Sequence, residues 1–336
     1  MYPRAVSAPL HSDSLDSGVP PPNERLPLPF SGPYLLAPMQ GITEPAFRNL
    51  VLARNPPDQL GGAFTEFVRI TNHPASPREL RRHLGAARFA APVGIQFMGS
   101  DASLMAESAR RAAEAGAPLV DLNFGCPAPG ALATCAGAAL LKSPRSIEQM
   151  LATCRAALPD TPLSAKIRAG FDDDELLCDL ALAAETGGAD LLTVHCRTRA
   201  ESYRPTRAWD RIARTVAATS LPVCGNGGVE RHCDLAAMRA ETGCRYVMVG
   251  HGALADPWIF SGHRASPGEA ARFLLDYAAA LTGQAGGGQT KAAARVKQLL
   301  GHWTAGDLLG DERREWLCEK QPEALLARLE NCLGGT

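Results

Sequence analysis

The residues best suited to chemistry surround a cysteine near the middle of the chain. Cys126 lies between Gly125 and Pro127, two residue types that interrupt helix and strand, shortly after the apolar run Leu119–Leu122. A cysteine thiol has an unperturbed pKa of about 8.5 and is mostly protonated at neutral pH, so a thiol held in a loop suits a proton donor. A nucleophilic role would require a lowered pKa. An isolated cysteine is also often a small buried hydrophobe, so its surroundings must decide.

Other polar residues stand at the ends of short apolar segments. Gln96 ends VGIQ, Lys166 and Arg168 end SAKIR, and His195 ends LLTVH. Amide and cationic side chains of this kind suit the polar edge of a pyrimidine ring. Each residue alone is equally compatible with a solvated charge or with a polar group satisfied in the core.

Two glycine-containing turns, Asn226-Gly227-Gly228 and Gly250-His251, follow later apolar segments. Backbone N–H groups in such turns can bind a phosphate, although a simple turn is the alternative. Flavin mononucleotide (FMN) would use all these groups, with its phosphate at the glycines and its pyrimidine edge at Gln96 and Lys166. His195 would contact the ring or the phosphate.

A repeating scaffold is needed to bring these residues together. From Leu35 onward, short β-prone segments alternate with amphipathic helical segments such as Leu104–Ala115 and Ser146–Ala157. The predicted strands are Leu35–Pro38, Gly62–Thr65, Val93–Phe97, Leu119–Asn123, Ser164–Ile167, Leu191–His195, Val223–Gly225 and Tyr246–Gly250. Eight such βα units close a (β/α)8 barrel, whose functional groups gather at the carboxyl ends of the strands. The predicted fold class is therefore α/β, a TIM barrel, with a doubly wound sheet as the alternative.

Three regions are predicted along the chain. Residues 1–33 are rich in Pro and Ser without periodicity, as expected of a flexible N-terminal leader. Residues 34–262 form the barrel. Residues 263–336 show helical periodicity and predict a small C-terminal helical domain of about four helices.

Composition limits the class of protein. The 336 residues carry a formal net charge of −1, so a nucleic-acid partner would have to bind a local basic surface. The ten cysteines include no Cys-x-x-Cys pair, which argues against a zinc ribbon, an iron–sulfur cluster or a secreted disulfide framework, and no metal is expected. Apolar runs stay below the roughly 18 residues of a membrane span, and a signal-peptide layout is absent. A soluble cytoplasmic protein is predicted.

Nine short strings together resemble the tRNA-dihydrouridine synthase family. They are LLAPMQGIT, TEFVR, GIQFMGS, VDLNFGCP, AGAALLKSP, SAKIRAG, TVHCRTR, CGNGGV and VMVGHGAL, and they cover residues 35–260. Members of this family have an FMN-binding barrel followed by a small helical domain. The resemblance implies that Cys126 is the catalytic acid and that FMN contacts Ala37, Pro38, Met39, Gln96, Lys166, Asn226, Gly227, Gly228, Gly250 and His251. It also implies NADPH, or NADH, as the reductant.

The strings TEFVR and RVKQLL, together with Tyr203, are most similar to the bacterial subgroup that acts on uridine 16 of the D-loop. By this resemblance the residues that contact tRNA are Arg69, Asn123, Tyr203, Arg295 and Lys297. Asn123 and Arg168 would read the uracil edge after the base is extruded from the folded RNA. Hydride would pass from flavin N5 to uracil C6, and Cys126 would protonate C5. The expected partner is tRNA, without a membrane or a protein partner, and the chain is expected to act as a monomer.

Three positions depart from the family pattern. An acidic residue is usual where Gly228 stands, and an arginine that pairs with the flavin phosphate is usual where His251 stands. Because histidine is mostly neutral at pH 7, phosphate binding is expected to depend more on backbone donors. Cys135 stands where Gly or Ser is common.

Two other functions remain open at this point. One is an FMN barrel that acts on a small pyrimidine, of the dihydroorotate or dihydropyrimidine dehydrogenase type. The other, suggested by Gly228 and His251, is a tRNA-binding relative that has lost flavin chemistry. The C-terminal helical domain favours a tRNA reader over the small-molecule enzyme.

Overall fold

The computed structural model describes residues 25–202, 207–283 and 288–334. Eight parallel strands close into a barrel in chain order, and the first strand pairs with both the second and the eighth. The strands are β1 Tyr34–Leu36, β2 Leu60–Arg69, β3 Val93–Met98, β4 Val120–Asn123, β5 Leu163–Arg168, β6 Leu191–His195, β7 Val223–Asn226 and β8 Tyr246–Val249. The predicted TIM barrel is confirmed, and the doubly wound sheet, which would have two open edges, is excluded.

Helices follow the strands on the outside of the barrel. They are α1 Pro45–Arg54, α2 Pro77–Leu84, α3 Ala102–Glu114, α4 Pro129–Leu132, α5 Pro144–Ala156, α6 Leu177–Thr186, α7 Asp210–Ala218, α8 His232–Thr242 and α9 His251–Ala255. A 3-10 helix at Gly137–Lys142 lies between α4 and α5. The C-terminal region is helical, as predicted, and contains α10 Pro267–Thr282, α11 Gln289–Leu300, α12 Arg313–Cys318 and α13 Pro322–Asn331.

Local sequence explains where the helices begin. At the start of α10, the Ser266 side chain accepts a hydrogen bond from the Glu269 N–H at 3.2 Å, and Glu269 accepts one from the Ser266 N–H at 2.7 Å. Pro267 occupies the first turn, where no N–H donor is needed. Ser76 and Glu79 form the same reciprocal cap on α2. The C-terminal region thus starts at a strong helix-initiation signal.

The amino-terminal end of the barrel is filled by apolar side chains from several strands. They are Leu35, Phe64, Leu119, Leu191, Cys224, Tyr246 and Met248. Phe30 lies against this layer, with its ring centroid 5.4 Å from that of Tyr246. A Cβ atom at Gly62 would lie only 2.5 Å from the Phe30 ring, so glycine is required there for Phe30 to pack.

The segment before β1 is attached to the barrel. The predicted leader spans residues 1–33, of which residues 1–24 lie outside the described residues. The Arg25 guanidinium donates to the Ser220 carbonyl at 2.8 Å and to Glu185 at 2.9 Å. The Leu26 N–H donates to Asp190 at 2.9 Å. Residues 25–33 therefore run along the barrel with specific partners.

The C-terminal helices pack on the first helix of the barrel. Phe47 of α1 lies edge-to-face against Phe273 and Tyr277 of α10, with ring centroids 6.0 Å and 5.9 Å apart. Trp303 also packs on Phe273, with ring centroids 5.6 Å apart. This aromatic cluster fixes the helical region beside the carboxyl end of β1 and the loop that follows it.

Within the described ranges, no helix has the length and hydrophobicity that crossing a bilayer requires. The same residues contain no group of three or more His, Cys, Asp or Glu side chains arranged to hold a metal ion.

Candidate active site at the carboxyl end of the barrel

Strand register gathers the predicted polar residues at one end of the barrel. Asn123 of β4 is paired with Lys166 of β5, and Arg168 of β5 is paired with His195 of β6. His195 is in turn paired with Asn226 of β7. Because all of them lie at the carboxyl ends of parallel strands, their side chains share one rim.

Cys126 is carried on a loop that is fixed from both sides. The Asn123 side-chain oxygen accepts hydrogen bonds from the backbone N–H groups of Gly125 at 2.9 Å and Cys126 at 3.0 Å. The Cys126 carbonyl accepts a hydrogen bond from the Ala138 N–H at 3.0 Å. Gly137 has a φ of +59°, and a Cβ atom there would lie 2.8 Å from that carbonyl oxygen. The half-buried thiol therefore has a defined position after β4.

The same contacts explain the small-residue run that follows. Cys135 adopts a φ of 51°, in the left-handed region that favours glycine, and its side chain is exposed. The glycine expected at this position from the resemblance would adopt this conformation without strain. Ala136 and Ala131 pack with Met98 beside Cys126, so small side chains let the loop lie close to β3.

A buried polar chain connects the barrel interior to the cysteine loop. The Gln96 amide nitrogen donates to Asp121 at 2.6 Å, and the Gln96 oxygen accepts from the Asn123 amide at 2.8 Å. Ser164 donates to the other Asp121 oxygen at 2.5 Å. Burial raises the pKa of Asp121 to about 6, against the opposing effect of these donors and of Lys166.

Asp121 is a residue that sequence reasoning missed. It is fully buried between Val120 and Leu122, and the sequence signal was an acidic residue inside an apolar strand. Its partners lie on β3 and β5, so their identity emerges only when the barrel closes.

Lys166 lies inside the rim and faces Asn226. Its ammonium donates to the Asn226 side-chain oxygen at 3.2 Å, and the Asn226 amide donates to the Met248 carbonyl at 2.8 Å. Burial, together with the nearby Arg168 charge, lowers the pKa of Lys166 to about 8. The group is therefore mostly protonated at neutral pH and supplies a positive charge to the rim.

Two histidines flank the same region. Burial, reinforced by the charges of Lys166 and Arg168, lowers the pKa of His195 well below its ordinary value. Partial burial and the neighbouring His302 ring, 5.9 Å away, lower the pKa of His251. Both imidazoles are thus neutral at pH 7 and can accept or donate a hydrogen bond.

Arg168 supports the loops of the rim. Its guanidinium donates to the Gly125 carbonyl at 2.8 Å and to the Thr198 carbonyl at 3.2 Å. These bonds join the cysteine loop to the segment after β6. The predicted base reader is therefore also a structural link between two rim loops.

The glycine turn after β7 has a backbone conformation that favours glycine. Gly227 and Gly228 have φ values of +104° and +73°. A Cβ atom at Gly227 would lie 2.8 Å from both Cys196 Sγ and a carbon of the His195 ring. The Trp209 indole N–H holds the turn by donating to the Gly227 carbonyl at 2.9 Å.

The predicted residues after β1 lie beside the turn after β8. The Ala37 N–H donates to the Val249 carbonyl at 2.9 Å. A Cβ atom at Gly250 would lie 3.4 Å from Met39 Sδ and 3.6 Å from Ala37 Cβ. Pro38 is half-buried between them. The first and last strands thus complete the rim that β3 to β7 begin.

The residues predicted to contact tRNA are spread more widely. Arg69 is exposed and donates to the Gly130 carbonyl, while Tyr203 lies outside the described residues. Arg295 binds Glu44 at 2.6 Å and also donates to the Gly41 carbonyl. Lys297 donates to the carbonyl of Glu319, at the end of α12, at 2.6 Å. Arg295 and Lys297 of α11 thus already have partners within the protein.

Comparisons with known proteins agree with this geometry. The sequence model of one family, described as dihydrouridine synthase, matches residues 35–303. A protein of Cupriavidus necator named tRNA-dihydrouridine(16) synthase is 39% identical over 231 residues, which cover 67% of this chain and 71% of that protein. A protein of Neisseria meningitidis with the same name is 38% identical over 233 residues, covering 66% of this chain and 68% of that protein.

Among solved structures, histamine dehydrogenase from Rhizobium sp. 4-9 matches with a TM-score of 0.52. The match covers 74% of this chain and 48% of that chain, at 14% sequence identity. At this level of identity the similarity concerns the fold alone.

Proposed function

The chain belongs to the dihydrouridine synthase family, and we propose that it reduces the C5–C6 double bond of uridine 16 in the D-loop of tRNA, with FMN as its cofactor and NADPH or NADH as the reductant. The observation that carries the proposal is the Cys126 loop, fixed by Asn123 on the same rim as Lys166 and the glycine turn at Gly227. A proton donor and an anion-binding turn are thus combined on one barrel face.

The residues of the rim fit a flavin mononucleotide. A Cβ atom at Gly227 would lie 2.8 Å from Cys196 Sγ, so only glycine fits this tightly packed turn, and the backbone N–H groups of a turn with positive φ can bind a phosphate. Lys166 offers a cation and Gln96 an amide of fixed orientation for the polar edge of the ring. Ala37, Pro38, Met39, Asn226, Gly250, His251 and His195 complete the proposed cofactor site. When bound, reduced FMN would supply the hydride to C6 of the uracil.

The protein supplies the matching proton. Cys126 would donate it to C5, and its position would be maintained by the two N–H bonds to the Asn123 oxygen. Because that oxygen is occupied, Asn123 would serve the reaction chiefly by holding the acid, while its amide group faces Gln96. Arg168 would have a comparable role through the Gly125 carbonyl. Asn123 and Arg168 would contact the uracil edge while keeping these bonds.

The existing partners of each basic side chain indicate which of them would contact a tRNA phosphate most readily. Arg69 is exposed beside the cysteine loop and donates to neutral acceptors, so a phosphate would replace weak partners. A phosphate on Arg295 would compete with its ion pair to Glu44. Lys297 would have to leave a backbone carbonyl. We therefore infer that Arg69 is the strongest direct contact of this group, with Tyr203 as the remaining predicted one.

The test is reduction of an unmodified tRNA transcript by the purified full-length protein with FMN and NADPH. Mass spectrometry of nuclease fragments should locate the gain of two hydrogens at position 16. Cys126→Ala should lower turnover on tRNA by about 10²- to 10⁴-fold, while reduction of the bound flavin by NADPH is unchanged. Cys135→Ala, an exposed cysteine of the same loop, is the matched control and should retain turnover.

Three outcomes would contradict the proposal. Undiminished turnover in Cys126→Ala would remove the cysteine from the reaction. Reduction of free uracil or dihydroorotate in preference to tRNA would favour the small-pyrimidine enzyme. Protein that binds tRNA but binds no flavin would favour the relative that lacks flavin chemistry.

A further inference from the structure

Arg197 carries a buried polar atom without a partner at the proposed cofactor site. It follows β6 directly after Cys196, and its Nε makes no hydrogen bond although it is buried. No salt bridge of the described chain includes Arg197, whereas the nearby Arg211 binds both Asp174 and Glu201. A buried, unpaired donor on a cationic group is costly, so this group has a donor available to an anion.

The backbone around Arg197 is held firmly. The Arg197 carbonyl accepts a hydrogen bond from the Ala169 N–H at 3.1 Å, after β5. The preceding Cys196 N–H donates to the Asn226 carbonyl at 2.9 Å, at the end of β7. Arg211 also donates to the Cys196 carbonyl at 3.1 Å. The residue therefore stands at a fixed point between the ends of β5 and β7.

The glycine turn lies next to this point. A Cβ atom at Gly227 would lie 2.8 Å from Cys196 Sγ, so the turn and the start of the Arg197 segment are in van der Waals contact. Gly227 and Gly228 have φ values of +104° and +73°, and backbone N–H groups in such turns can bind an anion.

Several cationic groups act on the same histidines as Arg197, while the neighbouring carboxylates Asp174 and Glu201 are already paired with Arg211. Burial lowers the pKa of His195, and the positive charges of Lys166, Arg168 and Arg197 lower it further. The pKa of His251, which follows β8, is lowered by burial, by His302 and by the charge of Arg197. Cationic groups that lie close together repel each other, and an anion bound among them would relieve that repulsion.

We propose that Arg197 is the guanidinium ligand of the flavin phosphate monoester, acting together with the backbone N–H groups of Gly227 and Gly228. The inference rests on the proposed function. A guanidinium presents two parallel N–H donors that match two phosphate oxygens. A monoester carries a charge of about −1.5 to −2, more than a phosphodiester, and so better matches this concentration of positive charge.

This assignment also bears on the departure at position 251. His251 is neutral at pH 7 and cannot supply the charge that an arginine would bring to the phosphate. Arg197 approaches the same corner from β6 and can supply that charge. Arg197 would thus supply the positive charge opposite the flavin phosphate, without an arginine after β8.

The test measures the preference of the full-length protein for FMN over riboflavin, which lacks the phosphate. The protein is dialysed to equilibrium against mixtures of the two flavins, and chromatography of the bound flavin gives the ratio of affinities. Arg197→Met should lower this preference by about 10- to 100-fold while leaving riboflavin binding unchanged. Arg199→Met is the matched control, because Arg199 stacks on Phe171 at 4.9 Å, and it should leave the preference unchanged.

Each result has a definite meaning. An unchanged preference in Arg197→Met overturns the assignment, and unchanged preference with weakened tRNA binding would identify a tRNA phosphate as the ligand instead. If Arg197→Met does not fold, Arg197→Lys decides, because an ammonium cannot reproduce the paired donors and the preference should still fall severalfold. Wild-type protein that binds neither flavin contradicts the proposed function itself, a result distinct from failure of the Arg197 assignment alone.

Discussion

The side-chain oxygen of Asn123 lies 3.0 Å from the backbone nitrogen of Cys126 and accepts its hydrogen bond. A second bond to the Gly125 N–H makes this oxygen the anchor of the whole turn. The Asn123 amide in turn donates to Gln96, which is fixed by the buried Asp121. The position of the proposed acid thus depends on a chain of bonds that starts in the barrel interior.

Asn123→Ala should therefore impair the reaction without removing the thiol. We expect turnover on tRNA to fall by roughly 10²-fold, because a shift of the acid by about 1 Å can cost that much. Asn123→Asp keeps an acceptor for the two N–H groups and should retain more activity. Single-turnover reoxidation of the flavin by tRNA is the measurement. Equal losses in both variants would show that holding the turn is not the main role of Asn123.

Asp121 should leave a signature in the pH dependence of stability. Burial raises its pKa from 3.8 to about 6, so the folded protein binds this proton more tightly than the unfolded chain. Asp121 therefore contributes stability that is fully present below about pH 4 and is lost as the pH rises through 6. A shift of this size corresponds to about 3 kcal/mol.

Comparison with Asp121→Asn isolates this contribution. The unfolding free energy of the wild type, relative to that of the variant, should decrease between pH 4 and 7 and then stay constant. Urea unfolding of both proteins at matched FMN saturation is the measurement. A difference that does not vary with pH would mean that Asp121 is not protonated in this range.

Gly227→Ala tests the cradle after β7. The substitution combines an unfavourable φ of +104° with a Cβ atom 2.8 Å from Cys196 Sγ, so we expect lower stability and loss of bound flavin. Gly116→Ala is the control, since Gly116 has a φ of +84° with no atom within 4 Å of the added Cβ. It should cost about 1 kcal/mol from backbone strain alone. Equal thermal stability and flavin content in the two variants would contradict a tightly packed cradle.

The contact between Glu44 and Arg295 should couple the helical region to the loop after β1. Glu44 binds Arg295 at 2.6 Å and accepts a hydrogen bond from the Tyr277 hydroxyl at 2.8 Å, and these groups are largely buried. A double-mutant cycle with Glu44→Gln and Arg295→Met should give a coupling energy of about 1–3 kcal/mol in urea unfolding. Arg110→Ala, which breaks only the exposed pairs with Glu107 and Glu114 on α3, should not change the melting temperature. A coupling energy near zero would mean that Glu44 and Arg295 do not stabilise each other.

The left-handed conformation of Cys135 predicts how that position tolerates substitution. Cys135→Val should destabilise the protein by about 1–2 kcal/mol, because a branched side chain clashes with the backbone at a φ of 51°. Cys135→Gly should be neutral or stabilising. Cys233→Val, at an exposed position of α8, controls for loss of the thiol and should have little effect. Equal melting temperatures for the Val and Gly variants at position 135 would contradict the assigned conformation.

The fold was predictable because polar residues suited to chemistry follow the short apolar segments of this sequence. Gln96, Lys166, His195 and Asn226 each lie at or near the carboxyl end of an apolar segment, and a closed parallel barrel places such residues on one rim. The turn at Gly227 and Gly228 was equally visible from its glycines, and both of them have positive φ in the structure.

The partners of the site residues were not predictable in the same way. Arg295 and Lys297 appeared as free basic groups in a helical sequence, yet they bind Glu44 and the Glu319 carbonyl. Asp121 gave only a weak signal, because its partners come from neighbouring strands. Such contacts join residues far apart in the sequence, and periodicity carries no information about them.

Phe30 closes the amino-terminal end of the barrel, and this has a practical consequence for protein engineering. A chain shortened to begin at Pro33 would lose both Phe30 and Leu28, and it would expose the apolar layer formed by Leu35, Tyr246 and their neighbours. Exposed apolar surface of this kind promotes aggregation during expression. A purification tag should therefore be joined before Arg25, so that Phe30 continues to cover the amino-terminal end of the barrel.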